Sequence, residues 1–343
     1  MSRKKKPLKA SSAEAQNVIQ SAAARNSGTD TSQAVESTQS AQEQKKEISS
    51  ADFFGVIFSS LSPNASEEQK RNRDDSFRTR LQQVISEHPV AVNYNLLMLY
   101  DQGKMIKSDA DNIYNAVTAF TEKKPLLLVL FSTGGTVDSA YLIGKLCREY
   151  SNDKFVVVVP RQAKSAATLI CCAANEIHMG SMSELGPIDP QIEGFPALGL
   201  KNSVEHLADL VKQYPAASEM FAKYLSYSLN PIHLGYYERV AESAKQYAER
   251  LLGTHGQDLV TKPDTIAQNL VYTYKDHGFV IDKTEATDIF GNKVIKTASE
   301  EYALGNAIYQ MMNLVSRIAD MMKNYFYFIG SMDSKPNFRR SSQ

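Results

Sequence analysis

Residues 126–171 read LLLVLFSTGGTVDSAYLIGKLCREYSNDKFVVVVPRQAKSAATLIC, and this stretch indicates the fold class. The apolar runs 126–131 and 155–159 are uninterrupted, which is typical of strands buried on both faces of a sheet. Between them, residues 137–150 carry apolar side chains at helical spacing, and 165–174 form a short segment of small and apolar residues that predicts a second helix. This alternation predicts parallel strands joined by right-handed crossovers.

The flanking segments extend the pattern in both directions. Before residue 126 we predict a helix over 66–87, a strand over 90–100 and a helix capped by Ser108. After it, Glu176–Gly180 predicts another short strand. The chain beyond Pro190 is helical in character, so we expect an α/β protein with a helical C-terminal half. The helices predicted there cover 202–214, 216–229, 234–252, 265–276 and 300–327.

The composition excludes several classes of protein. The 343 residues are 43% hydrophobic and 22% charged, a balance typical of soluble globular proteins. Thirty-eight basic residues offset 38 acidic ones, which gives no electrostatic reason to expect nucleic acid or an anionic membrane as partner. No apolar run reaches the roughly 18 residues that a membrane span needs.

The cysteines and the N-terminus predict where the protein is found. Cys147, Cys171 and Cys172 are odd in number and lie in apolar surroundings, so we expect core thiols in a reducing, cytoplasmic compartment rather than disulfides or a metal site. The basic N-terminus lacks the apolar segment of a secretory signal. No cofactor is predicted.

Three parts of the chain differ in composition. Residues 1–50 are rich in Ser, Ala, Gln, Thr and Glu and predict a disordered tail, because they bury too little apolar surface to offset the entropy of ordering. Residues 51–290 are expected to form the main domain. Residues 291–343 are expected to form an amphipathic helix followed by a polar tail.

Three loops follow predicted strands, at the sheet edge where open α/β sheets bind ligands. In Ser132–Thr136, paired glycines allow backbone N–H groups to face an incoming carbonyl. In Pro160–Thr168, Ser165 stands at the start of a helix, either as an N-cap or as a nucleophile followed by a free N–H group. The third loop is Ser183–Gln191, and its structural explanation, without a functional role, is a rigid Pro/Gly turn.

The order strand, S-T-G-G, helix, strand, A-K-S-A-A-T, strand, S-E-L-G-P-I-D-P-Q resembles the serine dehydrogenase proteinase family, which is related to signal peptide peptidase A and the Clp protease proteolytic subunit. The resemblance covers 126–191 and returns at 274–286, which contains the run HGFVI (277–281). It implies a Clp-protease/crotonase-like fold with repeated strand-strand-helix units. It also implies a serine peptidase acting on a protein or peptide substrate, with Ser165 as nucleophile and Gly134, Gly135 and Ala166 as the oxyanion environment.

The resemblance leads us to expect a lysine as the general base. In the Clp proteolytic subunit a histidine stands at roughly the place of Asp189, so a Ser-His-Asp triad is not expected here. Relatives of the signal peptide peptidase A type use lysine, and Lys201 follows Ser165 by 36 residues; Lys164 is disfavoured because adjacent helical side chains diverge. The alternatives that stay open for the base are Lys212, Lys223, Lys245, His206 and His233.

Two other functions fit the same fold, because fold does not determine function. One is a crotonase-like acyl-CoA enzyme, which would not need a serine at position 165. The other is a catalytically silent oligomeric scaffold. Homo-oligomerisation is expected in each case, since the 300–327 helix presents an apolar stripe that either packs on its own domain or joins a second copy. The chain contains no Walker motif, so any ATP dependence would have to come from another chain.

Overall fold

The computed structural model describes residues 47–192, 195–228 and 231–341, with side chains omitted at 192, 195, 200, 228 and 231–234. The tail predicted over residues 1–50 therefore lies outside the described residues, except for its last positions. These positions start a helix, because Ser49 is the N-cap of the helix that begins at Ser50. The residues after the tail belong to one compact unit, Lys46–Gln343.

The helices are, in chain order, α1 Ser50–Ser60, α2 Glu67–Ser86, α3 Lys107–Thr118, α4 Val137–Tyr150, α5 Ala166–Cys171, α6 Gly199–Gln213, α7 Ser218–Ser228, α8 Pro231–Leu252, α9 Pro263–Gln268, α10 Lys283–Phe290 and α11 Glu300–Met321. The strands are β1 Asn95–Asp101, β2 Leu126–Ser132, β3 Phe155–Val159, β4 Gln162–Ala163, β5 Glu176–Met179, β6 Glu184–Leu185, β7 Gln191–Ile192, β8 Phe195–Pro196, β9 Ile295–Lys296, β10 Asn324–Gly330 and β11 Asn337–Arg340.

The main sheet has the strand order β11-β10-β1-β2-β3-β5-β9, with β4 paired to β2 and β6. Strands β1, β2, β3, β5 and β9 are parallel to their neighbours among this group. The predicted parallel α/β sheet is therefore confirmed. Because the strands are parallel, the loops after β2, β3 and β5 emerge at the same edge of the sheet.

Each face of the sheet is covered by its own helical layer. Alternate strand residues point to opposite faces, so Leu128 and Leu130 of β2 pack with α3, α4 and α8, whereas Leu127 and Val129 pack with α1, α2 and α11. Complete burial of each such side chain contributes about 1.5–3 kcal/mol. The two layers hold the strands between them and thereby fix the backbone from which the loops start.

Helix α11 packs on its own sheet. Its apolar stripe, including Ile308, Met312 and Val315, is fully or almost fully buried against the strands. Of the two explanations offered for this stripe, packing within the domain accounts for it. The predicted homo-oligomer thus loses this support and stays a prediction.

Several predicted boundaries are wrong. Residues 90–93 form a 3-10 turn, Pro89–Asn93, and the strand starts at Asn95. Helix α3 begins at Lys107 rather than after Ser108, because the Asp109 carboxylate accepts a hydrogen bond from the Ile106 N–H and starts the helix earlier.

The C-terminal prediction needs the largest correction. Helix α11 ends at Met321 rather than Tyr327, and Lys323 has a positive φ of 55° that a helix cannot continue through. The aromatic run that follows becomes β10, which pairs antiparallel with β1, as expected for residues of high strand propensity. The predicted polar tail contains β11.

Candidate active site

Ser165 lies in a strained turn between β4 and α5. Its backbone has φ 51° and ψ −120°, a left-handed conformation that costs a residue with a Cβ on the order of 1–3 kcal/mol. The residue occupies the N-cap position, yet its side chain makes no capping hydrogen bond. The simple N-cap explanation for this serine therefore does not account for its conformation, because the strain has no capping contact to offset it.

The glycine loop after β2 packs directly against this turn. Gly134 has φ 102°, and a Cβ there would lie 2.7 Å from the Lys164 carbonyl oxygen and 2.9 Å from the Ser165 Cβ. A Cβ at Gly135 would lie 2.3 Å from backbone atoms of Met105. Both positions thus require glycine, one for its φ and close contact and the other for contact alone.

The backbone N–H groups of this region differ in their partners. The Gly134 N–H donates to the Ser132 hydroxyl at 3.1 Å, so it is already engaged. The N–H groups of Gly135 and Ala166 have no hydrogen-bond partner within the described part of the chain. The first N–H groups of a helix are free of intrahelical bonds, which explains the free N–H of Ala166. Two unpaired donors therefore lie beside Ser165.

The third predicted loop, Ser183–Gln191, contacts the turn that carries Ser165 through Thr168. The buried Thr168 hydroxyl lies 2.8 Å from the Ala163 carbonyl oxygen and 2.7 Å from the Gly186 carbonyl oxygen, the two acceptors of its single proton. Asp189, at the end of this loop, is 8% exposed. Its carboxylate accepts a hydrogen bond from the Gln191 amide at 2.8 Å. The loop thus holds a nearly buried carboxylate near the sheet edge.

Asp189 is paired with His277, a histidine for which we predicted no role from the sequence. The Nδ1 atom of His277 lies 3.5 Å from Asp189 Oδ2 and 3.2 Å from Gln191 Nε2. Hydrogen bonding and charge from Asp189 raise the pKa of His277 above its usual value, and partial burial opposes this shift. The Nε2 atom of the ring has no hydrogen-bond partner among the described residues.

Ser165 and His277 line the same cavity, of about 790 Å³. The loop residues Gly134, Gly135 and Gln191 line it as well, and α8 closes one side with Tyr236 and Val240. The structure shows no direct hydrogen bond between the serine and the histidine. Catalytic hydrogen bonds are often long or poorly aligned until substrate binds, so the shared cavity is the significant observation.

Lys201, the predicted base, lies elsewhere. Its side chain is 41% exposed, and its Nζ atom is 3.2 Å from the Glu238 carboxylate. It lines a separate cavity of about 210 Å³, to which Asp189 also contributes but Ser165 does not. The structure thus does not bring Lys201 together with Ser165, and its role as base stays a prediction.

The alternative bases whose side chains the structure describes are not found at the cavity either. Lys212, Lys223 and Lys245 each pair with a carboxylate on a helix surface, and His206 is exposed on α6. The side chain of His233 lies outside the described residues. A further histidine, His178, is buried on β5 and hydrogen-bonded to Ser299 and Glu176.

The cysteine thiols, possible metal ligands and possible membrane-spanning helices offer no second candidate site among the described residues. Burial raises the pKa of all three cysteine thiols, so these buried thiols are poorly suited to react. In the ranges that the structure describes, no group of three or more His, Cys, Asp or Glu side chains could hold a metal ion. The described helices include none with the length and apolar character needed to cross a membrane.

The parallel sheet and its helical layers define the chain as a mixed α/β protein of the ClpP-like class. The profile of the ClpP-like SDH-type serine proteinases matches residues 88–214. Over this segment, a little over a third of the chain, the sequence resembles that family, and the resemblance predicted from the sequence motifs is confirmed. The match supports a serine peptidase in general terms.

Similar proteins are known from an archaeon. The chain is 36% identical over 97 residues to uncharacterized protein MJ0137 of Methanocaldococcus jannaschii, a match that covers 28% of this chain and 34% of that protein. It is 33% identical over 92 residues to uncharacterized protein MJ1495 of the same organism, covering 27% and 31%. The chain thus spans about a third of the length of these relatives.

A solved structure is also similar. The 1510-N membrane-bound stomatin-specific protease, in a mutant form, overlaps 59% of this chain and 78% of its own, with a TM-score of 0.38 and 14% sequence identity. A likeness at that level carries no argument about the site.

Proposed function

We propose that this protein is a serine endopeptidase in which Ser165 is the nucleophile and His277, paired with Asp189, is the general base. The observation that carries the proposal is the shared cavity. It joins a strained serine whose hydroxyl is not used as a cap, a histidine whose Nδ1 faces a carboxylate, and a backbone N–H with no partner. The nucleophile and the base line one cavity, and the carboxylate that orients the base lies 3.5 Å from its Nδ1 atom. These three groups are the minimum set for acyl transfer.

The chemistry follows from the roles of these groups. The Ser165 hydroxyl attacks the scissile carbonyl carbon and gives its proton to His277 Nε2. The imidazolium then returns that proton to the leaving amine as the C–N bond breaks, which leaves an acyl-Ser165 ester. Water, deprotonated by the same imidazole, hydrolyses the ester and regenerates the serine. Asp189 stabilises the imidazolium in both halves of the reaction.

The oxyanion is assigned to the N–H groups of Gly135 and Ala166. Both donors are free, so neither has to break a hydrogen bond when negative charge develops on the substrate oxygen. Gly134 contributes in another way, since its N–H is engaged by Ser132 and its missing side chain allows the loop to approach Ser165. The proposal therefore retains Gly134, Gly135 and Ala166 as the oxyanion environment, and it assigns the hydrogen-bond donors to the N–H groups of Gly135 and Ala166.

Lys201 remains the competing base for the same reaction. Its side chain is 41% exposed and pairs with Glu238, and it lines a cavity to which Ser165 does not contribute. A crotonase-like acyl-CoA enzyme has no observation in its favour, because its reaction does not explain a strained serine that shares a cavity with a histidine. The cytoplasmic location and a homo-oligomer stay predictions from the sequence.

The proposal is tested with two serine-to-alanine variants in capping positions. Ser66 is the N-cap of α2 and makes a complete capping box with Gln69, whereas the Ser165 side chain caps nothing. Turnover is measured on casein and on a fluorogenic peptide, and stability by thermal unfolding.

Ser165→Ala is expected to abolish turnover, by a factor of about 10³ or more, and to keep the melting temperature. Ser66→Ala is expected to lower the free energy of unfolding by about 1 kcal/mol and to keep turnover. Wild-type turnover in Ser165→Ala would contradict the proposed function. Loss of stability in that variant alone would instead favour a structural role for the serine.

A further inference from the structure

Lys164 connects the nucleophile turn to the glycine loop through its backbone. It immediately precedes Ser165, and its N–H donates to the Ser132 carbonyl at 3.0 Å. Its own carbonyl oxygen accepts from the Ala167 N–H at 2.9 Å and lies against Gly134. The backbone of this residue is therefore fixed relative to both the serine and the free N–H groups.

The side chain of Lys164 extends in another direction, to the segment that carries His277. Its Nζ atom lies 3.0 Å from the Phe279 carbonyl oxygen, two residues after His277, and 3.1 Å from the Glu184 carboxylate. The Leu185 carbonyl is a third acceptor at 3.4 Å. The lysine side chain is 13% exposed. Its contacts with Glu184 and Leu185 are partly buried, whereas its contact with the Phe279 carbonyl lies at the surface.

The His277 segment has one further attachment close by. Leu185 and Ile281 exchange two backbone hydrogen bonds, of 2.9 and 3.0 Å, which fix the segment after His277 to β6. Tyr274 and Phe279 form a ring contact with centroids 4.7 Å apart, but that contact lies within the segment and does not anchor it. Lys164 is therefore a direct link between the turn that carries Ser165 and the segment that carries His277.

We propose that Lys164 is a positioning residue that fixes His277 relative to Ser165. This inference rests on the proposed function, because it concerns the base of that reaction. Lys164 is not assigned as the base, because its Nζ atom is engaged by the Glu184 carboxylate and two carbonyl oxygens rather than by the Ser165 hydroxyl. Its effect on the reaction is exerted through His277.

The chemistry of the ammonium explains why a lysine is suited to this position. Its three N–H donors match one carboxylate and two carbonyl oxygens around a single atom. Methionine has similar length without any donor, and the planar guanidinium of arginine presents its donors in a different geometry. Both substitutions are expected to release the Phe279 carbonyl, or to shift it, and so to misplace the imidazole. A displacement of about 1 Å in a reacting group can lower a rate by about 10²-fold.

The test is a double-mutant cycle on the full chain. Lys164→Met, His277→Ala and the combined variant are compared with the wild type, using the labelling rate of a fluorophosphonate probe and kcat and KM on a fluorogenic peptide. The concentration of active sites is determined by labelling each variant to completion with the probe, and kcat is calculated from that concentration. Unfolded protein, which is not labelled, is thereby excluded from kcat. Lys164→Met alone leaves the Glu184 carboxylate without its partner, which can lower stability. The variant that combines Lys164→Met with Glu184→Gln removes both charges and controls for this effect.

A matched control is available on the same segment. Lys283 reaches from α10 to the Ser181 hydroxyl at 3.5 Å without contacting the nucleophile turn. Lys283→Met is expected to keep wild-type kcat. Lys164→Arg is expected to lower kcat as Lys164→Met does.

In the wild-type background, Lys164→Met should lower kcat about tenfold or more and change KM by no more than about twofold. In the His277→Ala background, the same change should alter the labelling rate by less than about twofold, because residues that act through one another are not additive.

An equal loss in both backgrounds would show a merely structural role and overturn the inference, as would unchanged kcat in Lys164→Met and its Glu184→Gln combination. If His277→Ala keeps full turnover, the proposed base fails and the Lys164 inference fails with it. Wild-type turnover in Lys164→Met beside an inactive His277→Ala would overturn the Lys164 inference alone.

Discussion

The turn that carries Ser165 and the helix that carries Lys201 are held in opposite ways. Ser165 follows a buried strand, and its neighbours Ala166 and Ala167 are fully buried. Lys201 lies on α6, whose described residues are exposed or half-buried, and its ion pair with Glu238 joins two partly exposed side chains. Reacting groups need placement within a fraction of an ångström. The buried turn provides such placement, and the helix surface does not.

The segment that carries His277 is intermediate between these two regions. His277 is half-buried, whereas its neighbours Gly278 and Phe279 are exposed. It is nevertheless held by Asp189 on one side and by Lys164 on the other. A residue in a loop can therefore be as well placed as one on a strand when buried charged groups bind the loop.

The comparison of the two candidate bases gives the largest expected difference. His277→Ala should lower kcat/KM about 10²- to 10⁴-fold, because the general base is lost. Lys201→Ala should change kcat/KM by less than about twofold, since an exposed ion pair contributes little. Both are measured by peptide hydrolysis at pH 8. Inactivation by Lys201→Ala and by Lys201→Arg, with activity retained in His277→Ala, would transfer the role to the lysine.

The second prediction concerns pH. Because Asp189 raises the pKa of His277, and the base must be neutral, kcat/KM of the wild type should fall as the pH drops through a value above the ordinary imidazole pKa of about 6.5. Asp189→Asn removes the charge that stabilises the imidazolium. The acid limb should then move to lower pH, and the plateau rate should fall by about tenfold or more because the ring is no longer oriented.

The control for this prediction is Asp276→Asn. Asp276 is exposed and has the smallest of the resolved effects on the pKa of His277. Its acid limb should stay close to that of the wild type. An unchanged acid limb in Asp189→Asn would show that the titrating group is not His277.

The third prediction sharpens the contrast between the buried turn and an open helix surface. Gly134→Ala forces a side chain into a positive φ and against the Lys164 carbonyl, so the free energy of unfolding should fall by about 1–3 kcal/mol. Gly55→Ala, on α1 with nothing within 4 Å of an added Cβ, should raise it by about 0.5–1 kcal/mol. Urea denaturation measures both. Equal stability in the two variants would contradict the tight packing of the glycine loop.

Local patterns were sufficient to predict the central parallel strands of the sheet and the position of Ser165. The uninterrupted apolar runs at 126–131 and 155–159 became β2 and β3, and the serine was found at the predicted strand-to-helix junction. The helix boundary at Met321 was missed, although the aromatic run of 324–330 has the composition of a strand.

The role of His277 could not be predicted in the same way. It follows Ser165 by 112 residues, and its place beside the cavity depends on the Lys164–Phe279 and Leu185–Ile281 contacts. Such tertiary contacts leave no periodic signal in the sequence. The separation of 36 residues from Ser165 also favoured Lys201 as the base. Spacing along the chain does not reveal that this lysine is exposed and paired with Glu238.

The central claim is that Ser165 is a nucleophile activated by His277. Its most direct test is the site and pH dependence of fluorophosphonate labelling, with the adduct located by peptide mass spectrometry. We expect a single adduct on Ser165, formed at a rate that falls as the pH drops through the raised pKa of His277, and formed at least about 10²-fold more slowly in His277→Ala. An adduct on another residue, or a labelling rate unaffected by His277→Ala, would contradict the claim.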